Sequence, residues 1–320
     1  MEQRKGLKKI LELLRDEPWD SLTDKAGETL LQHKGSHVFV RGLIEFSNIC
    51  RRNCVYCGLN AANQNIQRYR MDAQEILRCA QAAKDSGCDT IVLQSGENAC
   101  DAQWLAEIVA EITGALGLVV TLSVGERKAW EYALWREAGA SRYLIKHETA
   151  DQALYAALHP GHALGERLDA LKLLRKLGYE IGSGFMIGLP GQDLGSLAAD
   201  IALCRDLGVD MCGAGPFIPH AATALAGAQP GSATLVLRCL AVMRIIMPWA
   251  NLPATTALAT VDPQNGQVQG LRAGANVLMP SFTPAPYSGN YAIYDNKNRV
   301  ACANAAKAIE RAGRTHNLKV

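Results

Sequence analysis

No stretch of this chain approaches the roughly 18 consecutive apolar residues of a membrane-spanning helix. The opening residues MEQRKGLKKILELLRDEPW alternate charges with Leu and Ile, and lack the roughly 7–15-residue apolar core of a signal peptide. The expectation is a cytoplasmic protein without a membrane partner. Net charge is also missing: 33 Lys plus Arg face 31 Asp plus Glu, for +2. That leaves no broad field with which to hold nucleic acid. There is no low-complexity tract and no Pro/Ser-rich linker, so no internal boundary is expected. With 48% apolar and 20% charged residues, the composition excludes wholesale disorder.

What is present is alternation. Short apolar or β-branched runs are each followed by a turn and a segment of helical period. The runs are His37–Phe46, Thr90–Leu93, Leu118–Leu122, Arg142–Ile145, Glu180–Ile187, Met211–Gly215, Asn251–Thr255 and Asn276–Met279. Helices are expected near Asp72–Ser86, Asp101–Ala115, Arg127–Glu137, Leu164–Leu177, Leu194–Leu207, Thr234–Ile246, Gly266–Ala273 and Cys302–Arg311, with a short piece from Asp151. Asp72 followed by Glu75 offers a capping box. Parallel strands need helical crossovers, so eight such units predict a closed (β/α)8 barrel of the TIM type over residues 37–320. Residues 1–36 would form an N-terminal helical extension, and an open doubly wound sheet is the alternative. In a barrel the chemistry collects where strands end, and the polar residues fall there: Gln94-Ser95-Gly96-Glu97, Ser123, His147-Glu148-Thr149 and Thr255-Thr256.

The chain has ten cysteines, and three stand apart. Cys50, Cys54 and Cys57 lie at Cys-x3-Cys-x2-Cys spacing in a loop that leaves the first strand. Three thiolates can hold three irons of a 4Fe-4S cube and leave the fourth open to an outside ligand, whereas structural zinc takes four protein ligands. Zinc held with a distant His33 or His37, in an assembly scaffold without turnover, is the competing reading. Cys79, Cys88, Cys204 and Cys239 are expected as core thiols, Cys212 as a thiol inside the barrel, and Cys100 at the surface or a helix start.

The cysteine spacing, Tyr56 just before the last cysteine and the barrel together resemble the radical S-adenosylmethionine (SAM) superfamily. Further blocks narrow the resemblance: Arg68-Tyr-Arg-Met71, Ile91-Val-Leu-Gln-Ser-Gly-Glu97, Tyr143-Leu-Ile-Lys-His-Glu-Thr-Ala150, Met186-Ile-Gly-Leu-Pro-Gly191, Gly215-Pro-Phe-Ile-Pro-His220, Pro253-Ala-Thr-Thr-Ala257 and Ala275-Asn-Val-Leu-Met-Pro280 are similar to the HydE family. These are maturases that help build the FeFe-hydrogenase active-site cluster. Biotin synthase and methylornithine synthase share the barrel and the cluster loop, and are the near alternatives.

The resemblance implies one 4Fe-4S cluster on Cys50, Cys54 and Cys57, and SAM bound by Tyr56, Gln94, Ser95, Gly96, Glu97, Ser123, Glu148, Arg167, Met186 and Leu189. Glu148 and Arg167 would form the pair that reads the ribose or the methionine carboxylate. The substrate cavity would be lined by Thr121, Arg142, Thr255, Thr256, Met279 and Tyr291. An arginine inside a barrel needs an anion, and an iron-carbonyl-cyanide species bearing a cysteine is one. The implied partners are this organometallic or small-molecule substrate, an electron donor such as a ferredoxin or flavodoxin, and transiently the other hydrogenase maturases. Two departures stand out. Lys146 replaces an expected Arg, and Cys302 stands alone where some HydE proteins hold a second cluster, so no second cluster is expected.

Overall fold

The computed structural model describes residues 2–319. The chain opens with α1 (Glu2–Arg15) and α2 (Trp19–Lys34), then runs β1 (Phe39–Ser47), α3 (Ala73–Asp85), β2 (Thr90–Ser95), α4 (Ala102–Gly114), β3 (Val119–Ser123), α5 (Ala129–Glu137) and β4 (Arg142–Leu144). It continues with α6 (Gln152–Leu158), α7 (Leu164–Lys176), β5 (Glu180–Ile187), α8 (Leu194–Leu207), β6 (Met211–Pro216), α9 (Ala233–Ile246), α10 (Thr256–Val261), α11 (Gly266–Arg272), β7 (Val277–Leu278), α12 (Ala285–Ser288) and α13 (Cys302–Arg311). The expected capping box forms at α3, where the Glu75 N–H donates to Asp72 at 2.7 Å and the Asp72 N–H donates to Glu75 at 2.9 Å.

All strand pairs are parallel, in the order β6-β5-β4-β3-β2-β1-β7. Eight strands were expected; the described residues form seven. The run Asn251–Thr255 is not a strand, because Pro253 has no N–H to donate and Thr255 turns away to cap α10. That segment nevertheless bridges the sheet edges. The Cys212 N–H donates to Asn251 O at 3.0 Å on the β6 side, and the Ala254 N–H donates to Val277 O at 3.0 Å on the β7 side. The ring closes through an irregular eighth position, and the fold is a (β/α) barrel of the TIM type.

Register decides which residues face inward, since side chains alternate along each strand. Arg41 on β1 donates to Met211 Sδ on β6 at 2.8 Å, across the interior. Residues in register with these two, or displaced by two, also face in: Leu43, Glu45, Thr90, Val92, Gln94, Thr121, Ser123, Arg142, Leu144, Glu180, Gly182, Met186, Gly213 and Gly215. Gly182, Gly213 and Gly215 leave that side of the interior with few side chains, Met186 and Met211 among them. Cys212 has the opposite parity. It points outward, with its sulfur 3.3 Å from Cys204 on α8, which corrects the expectation of an interior thiol.

The two N-terminal helices cover the outside. Leu22, Ala26 and Leu30 recur every fourth residue on the buried face of α2, which packs on α9. α1 packs on α8 and α9. The Arg238 guanidinium on α9 donates to the carbonyls of Leu13, Leu14 and Glu17, satisfying groups that the end of α1 leaves open.

Candidate active site

The cysteine loop leaves the C-terminal end of β1 and is held by polar contacts. The Arg68 guanidinium donates to the carbonyls of Asn48, Leu59, Asn60 and Asn63 at 2.7 to 3.1 Å. Asn48, fully buried, donates to Gln67 O and Asn290 O at 2.8 Å each and accepts from the Tyr69 N–H at 2.8 Å. These contacts present Cys50, Cys54 and Cys57 half-buried at the barrel mouth. Burial and the neighbouring Cys50 push the Cys54 thiol up to about 12, and burial raises Cys57 as well. The Cys50 sulfur accepts from the Glu97 N–H at 3.4 Å and the Arg52 N–H at 3.5 Å. Gly96 is needed here: a Cβ on it would stand 2.2 Å from Ile49 O and 2.8 Å from the Cys50 Cβ.

This donor set fits a 4Fe-4S cube. It offers three thiolates from one loop and N–H donors to sulfur. Among the described residues no three His, Cys, Asp or Glu side chains converge on a single ion. His37 precedes the nine-residue β1 and Cys50 follows it, so the two lie about 30 Å apart along the strand at about 3.3 Å per residue. A zinc site that joins His37 to these cysteines is not formed.

An ion network lines the rim. Arg52, between the first two cysteines, pairs with Glu97 and, at 2.9 Å, with Glu126; Glu126 pairs in turn with Arg167. Glu148 and Arg167, both expected to read SAM, do not pair with each other. Instead Glu148 accepts from Lys146 Nζ at 2.9 Å, and Arg167 also donates to the Lys146 carbonyl at 2.8 Å. Burial would push the Glu148 carboxyl up, but Lys146 outweighs it and the group titrates below its ordinary range. Glu148 sits at φ +65°, a left-handed conformation that costs a residue with a Cβ of order 1–3 kcal/mol. Such strain collects where a side chain must be aimed.

Beside the cysteines, Met186 and Leu189 join Leu158 and Phe217 in a small apolar cluster, with Tyr56 and Val55 packed against it. The Tyr56 hydroxyl lies 3.1 Å from His159 Nε2. Burial and the Arg167 charge lower His159 to about 4. Gln94 and Ser123 share the interior face above Thr121, and Ser95 is buried at the end of β2. Thr121 Oγ1 is buried with no hydrogen-bond partner among the described residues.

Not every expected substrate residue reaches the mouth. Arg142 opens β4 at the end of the barrel opposite the cysteines, with a protein carboxylate as partner: Glu180 at 2.7 Å. Its expected need for an anion is met within the chain. Thr255 uses its hydroxyl to cap α10, accepting from the Leu258 N–H at 3.2 Å, and Thr256 is the first residue of that helix. Met279 follows β7, half-buried, and the ring of buried Tyr291 lies 5.4 Å under the Lys297 ammonium. Arg41, Arg52, Arg68, Glu126 and His159 were not assigned a role from the sequence. Two carried a signal: Arg52 lies inside the cysteine motif, and Arg68 opens one of the blocks that carry the resemblance. Arg41 is 6% exposed and no carboxylate pairs with it among the described residues; burial and the charge of Arg142 lower it to about 10.

The fold and the three-cysteine mouth define a radical SAM enzyme, and the Radical SAM superfamily model matches residues 44–204. The chain is 44% identical over 281 residues, 87% of its own length and 80% of the relative's, to the [FeFe] hydrogenase maturase subunit HydE of Thermotoga maritima. It is 29% identical over 291 residues, covering 89% of this chain and 82% of the relative, to 3-methylornithine synthase of Methanosarcina acetivorans. The crystal structure of methylornithine synthase (PylB) superposes with a TM-score of 0.84 at 25% identity, over 98% of this chain and 96% of that one. The chain belongs to the radical SAM superfamily and, within it, to the HydE family. Membership implies a 4Fe-4S cluster and SAM.

Proposed function

We propose that this enzyme cleaves SAM reductively at a single 4Fe-4S cluster on Cys50, Cys54 and Cys57, and acts in the cytoplasm during FeFe-hydrogenase maturation. Its substrate would be a cysteine-bearing iron-carbonyl-cyanide precursor. The observation that carries the reading is the set of three cysteines with no fourth protein ligand among the described residues, facing a rim of charged and apolar groups that suits a zwitterionic nucleoside. When bound, the cluster supplies the electron that splits the sulfonium into methionine and a 5′-deoxyadenosyl radical.

The chain's residues bind and orient. Tyr56, Met186 and Leu189 offer an apolar surface to the adenine. Glu148, kept ionised by Lys146, accepts from a ribose hydroxyl or an ammonium, and Arg167 offers its guanidinium to a carboxylate. Gln94, Ser95, Glu97 and Ser123 supply the remaining polar contacts, and Gly96 brings the backbone close to the cysteine loop. Deeper in, Thr121 holds a buried hydroxyl with no partner among the described residues, and Arg41, with no carboxylate pairing it there, lies at the far end of the interior near Arg142. Glu45 and Glu180, the carboxylates that β1 and β5 turn inward, are engaged by Lys297 and Arg142. An amino-acid mutase, which needs an acid for its substrate's ammonium, is less well served.

The test is anaerobic reconstitution followed by dithionite and SAM, with an iron-bound cysteine complex or lysine as substrate. Release of 5′-deoxyadenosine, with the adenosyl carbon trapped on the iron complex, supports the reading. Capture on the amino acid alone, or no cleavage of SAM, overturns it.

A further inference from the structure

Reductive cleavage consumes one electron per turnover, and the chain must take it from outside. Next to the cysteine loop, on the rim side, lies a surface groove of about 430 Å³ whose lining includes Arg51, Arg127, Lys128, Trp130 and the acids Glu126 and Glu131. Arg51 is covalently joined to Cys50, and its N–H donates to Glu97 O at 3.2 Å, the residue whose own N–H reaches the Cys50 sulfur. The groove is therefore a short path from the surface to one cluster ligand. Arg70 flanks it, exposed, with its guanidinium 5.8 Å over the Trp104 ring and donating to Ala99 O at 3.4 Å.

The acids in this neighbourhood are already committed. Glu126 pairs with Arg52 and Arg167, Glu131 with Arg127 at 3.0 Å, and Asp101 caps α4 by accepting from the Trp104 N–H at 3.0 Å. Among the described residues no carboxylate pairs with Arg51, Arg70 or Lys128. The result is a local positive patch on a chain whose overall charge is close to balanced. At its centre Trp130 is 58% exposed, and exposed aromatics ringed by charge are the usual anchors of a contact.

We propose that this patch is the docking face for a small electron-carrier protein with an acidic surface around a low-potential one-electron centre. In the docked pair the carrier's reduced centre gives up one electron and the oxidised cluster gains it; no bond or proton moves. Opposite charge steers the encounter and speeds association, and contacts for electron transfer are small, below about 1,200 Å², which a patch of this extent can supply. The inference rests on the proposed function.

The experiment uses the reconstituted holoenzyme and a purified, reduced bacterial ferredoxin with two 4Fe-4S clusters. Stopped-flow absorbance and EPR follow cluster reduction directly, before any SAM is added. Arg70→Glu with Lys128→Glu, and separately Trp130→Ala, are expected to slow reduction by ferredoxin at least tenfold. The charge variant should also lose most of the salt dependence, while dithionite reduces every variant as it reduces wild type. Ferredoxin reducing the variants at the wild-type rate and with wild-type salt dependence overturns the docking face. Wild-type enzyme that fails to cleave SAM even with dithionite overturns the underlying reading instead.

Discussion

The side-chain amide of Gln192 stands 3.3 Å from the carboxylate of Asp200, and this contact ties together two loops of the barrel mouth. Gln192 also donates to Met186 O at 2.9 Å and accepts from the Gly188 N–H at 2.8 Å, which fixes the loop after β5. Asp200, fully buried on α8, accepts from the Ala150 N–H and lies 3.4 Å from His147 Nε2, which fixes the loop carrying Glu148. Asp200→Ala would strip an acceptor from two part-buried donors, the Ala150 N–H and the Gln192 amide, and remove the carboxylate beside the fully buried His147. The expected cost is about 3 kcal/mol of stability, and SAM binding about tenfold weaker with unchanged iron content. Thermal denaturation and SAM titration check this, and unaltered affinity would refute the positioning role.

Arg68 answers four carbonyls of the cysteine loop from one planar group, a geometry lysine cannot copy. Arg68→Lys should retain the fold but lower the iron bound per chain after reconstitution. Arg68→Ala should also lose about 3 kcal/mol. Iron analysis beside urea denaturation separates the two effects.

Iron content also tests how many clusters the chain holds. Wild type is expected to bind about four irons, the content of one cube. Cys54→Ser should abolish the brown chromophore, and Cys302→Ser should leave it untouched. About eight irons, falling to four in Cys302→Ser, would show a second cluster.

His159 is 2% exposed, and burial together with Arg167 holds it at about 4, against its ordinary 6.5. Its folded-state pKa is depressed, so the unfolded chain takes up the proton first as pH falls. The stability tied to neutral His159 is full above about pH 6.5, declines between 6.5 and 4, and is gone below, a loss of about 3 kcal/mol. His159→Gln should flatten that part of the stability profile, measured by denaturant midpoints from pH 7 to 4.

Thr121 carries a buried hydroxyl without a partner among the described residues. Thr121→Val keeps the shape and removes the unsatisfied group, and should raise stability by about 1 kcal/mol. If the hydroxyl serves the substrate, conversion of the iron complex should fall severalfold while SAM cleavage without substrate stays level. Equal conversion by the variant would remove Thr121 from the cavity.

Much of the fold was legible because its signals are local. Each strand and most helices could be placed from period and turn residues, and Asp72 with Glu75 marked the start of α3. The run Asn251–Thr255 was expected as a further strand and is not one, because Pro253 lacks the N–H a ladder needs and Thr255 caps α10. Cys212 was assigned to the wrong face because one strand's pattern cannot tell inside from outside when both faces are buried, as they are in β5 and β6.

The amino-acid order alone determined the three-thiol loop, since ligands seven residues apart are held near one another by the chain itself, and it determined that polar residues gather where strands end. Only the tertiary structure decided whom the charges meet. Arg167 pairs with Glu126, 41 positions away, and Arg142 with Glu180, 38 away. Glu148 turned instead to Lys146, two residues off. Such pairings follow from sheet register and from which loops converge over the mouth, and these are properties of the packed barrel that no local pattern encodes.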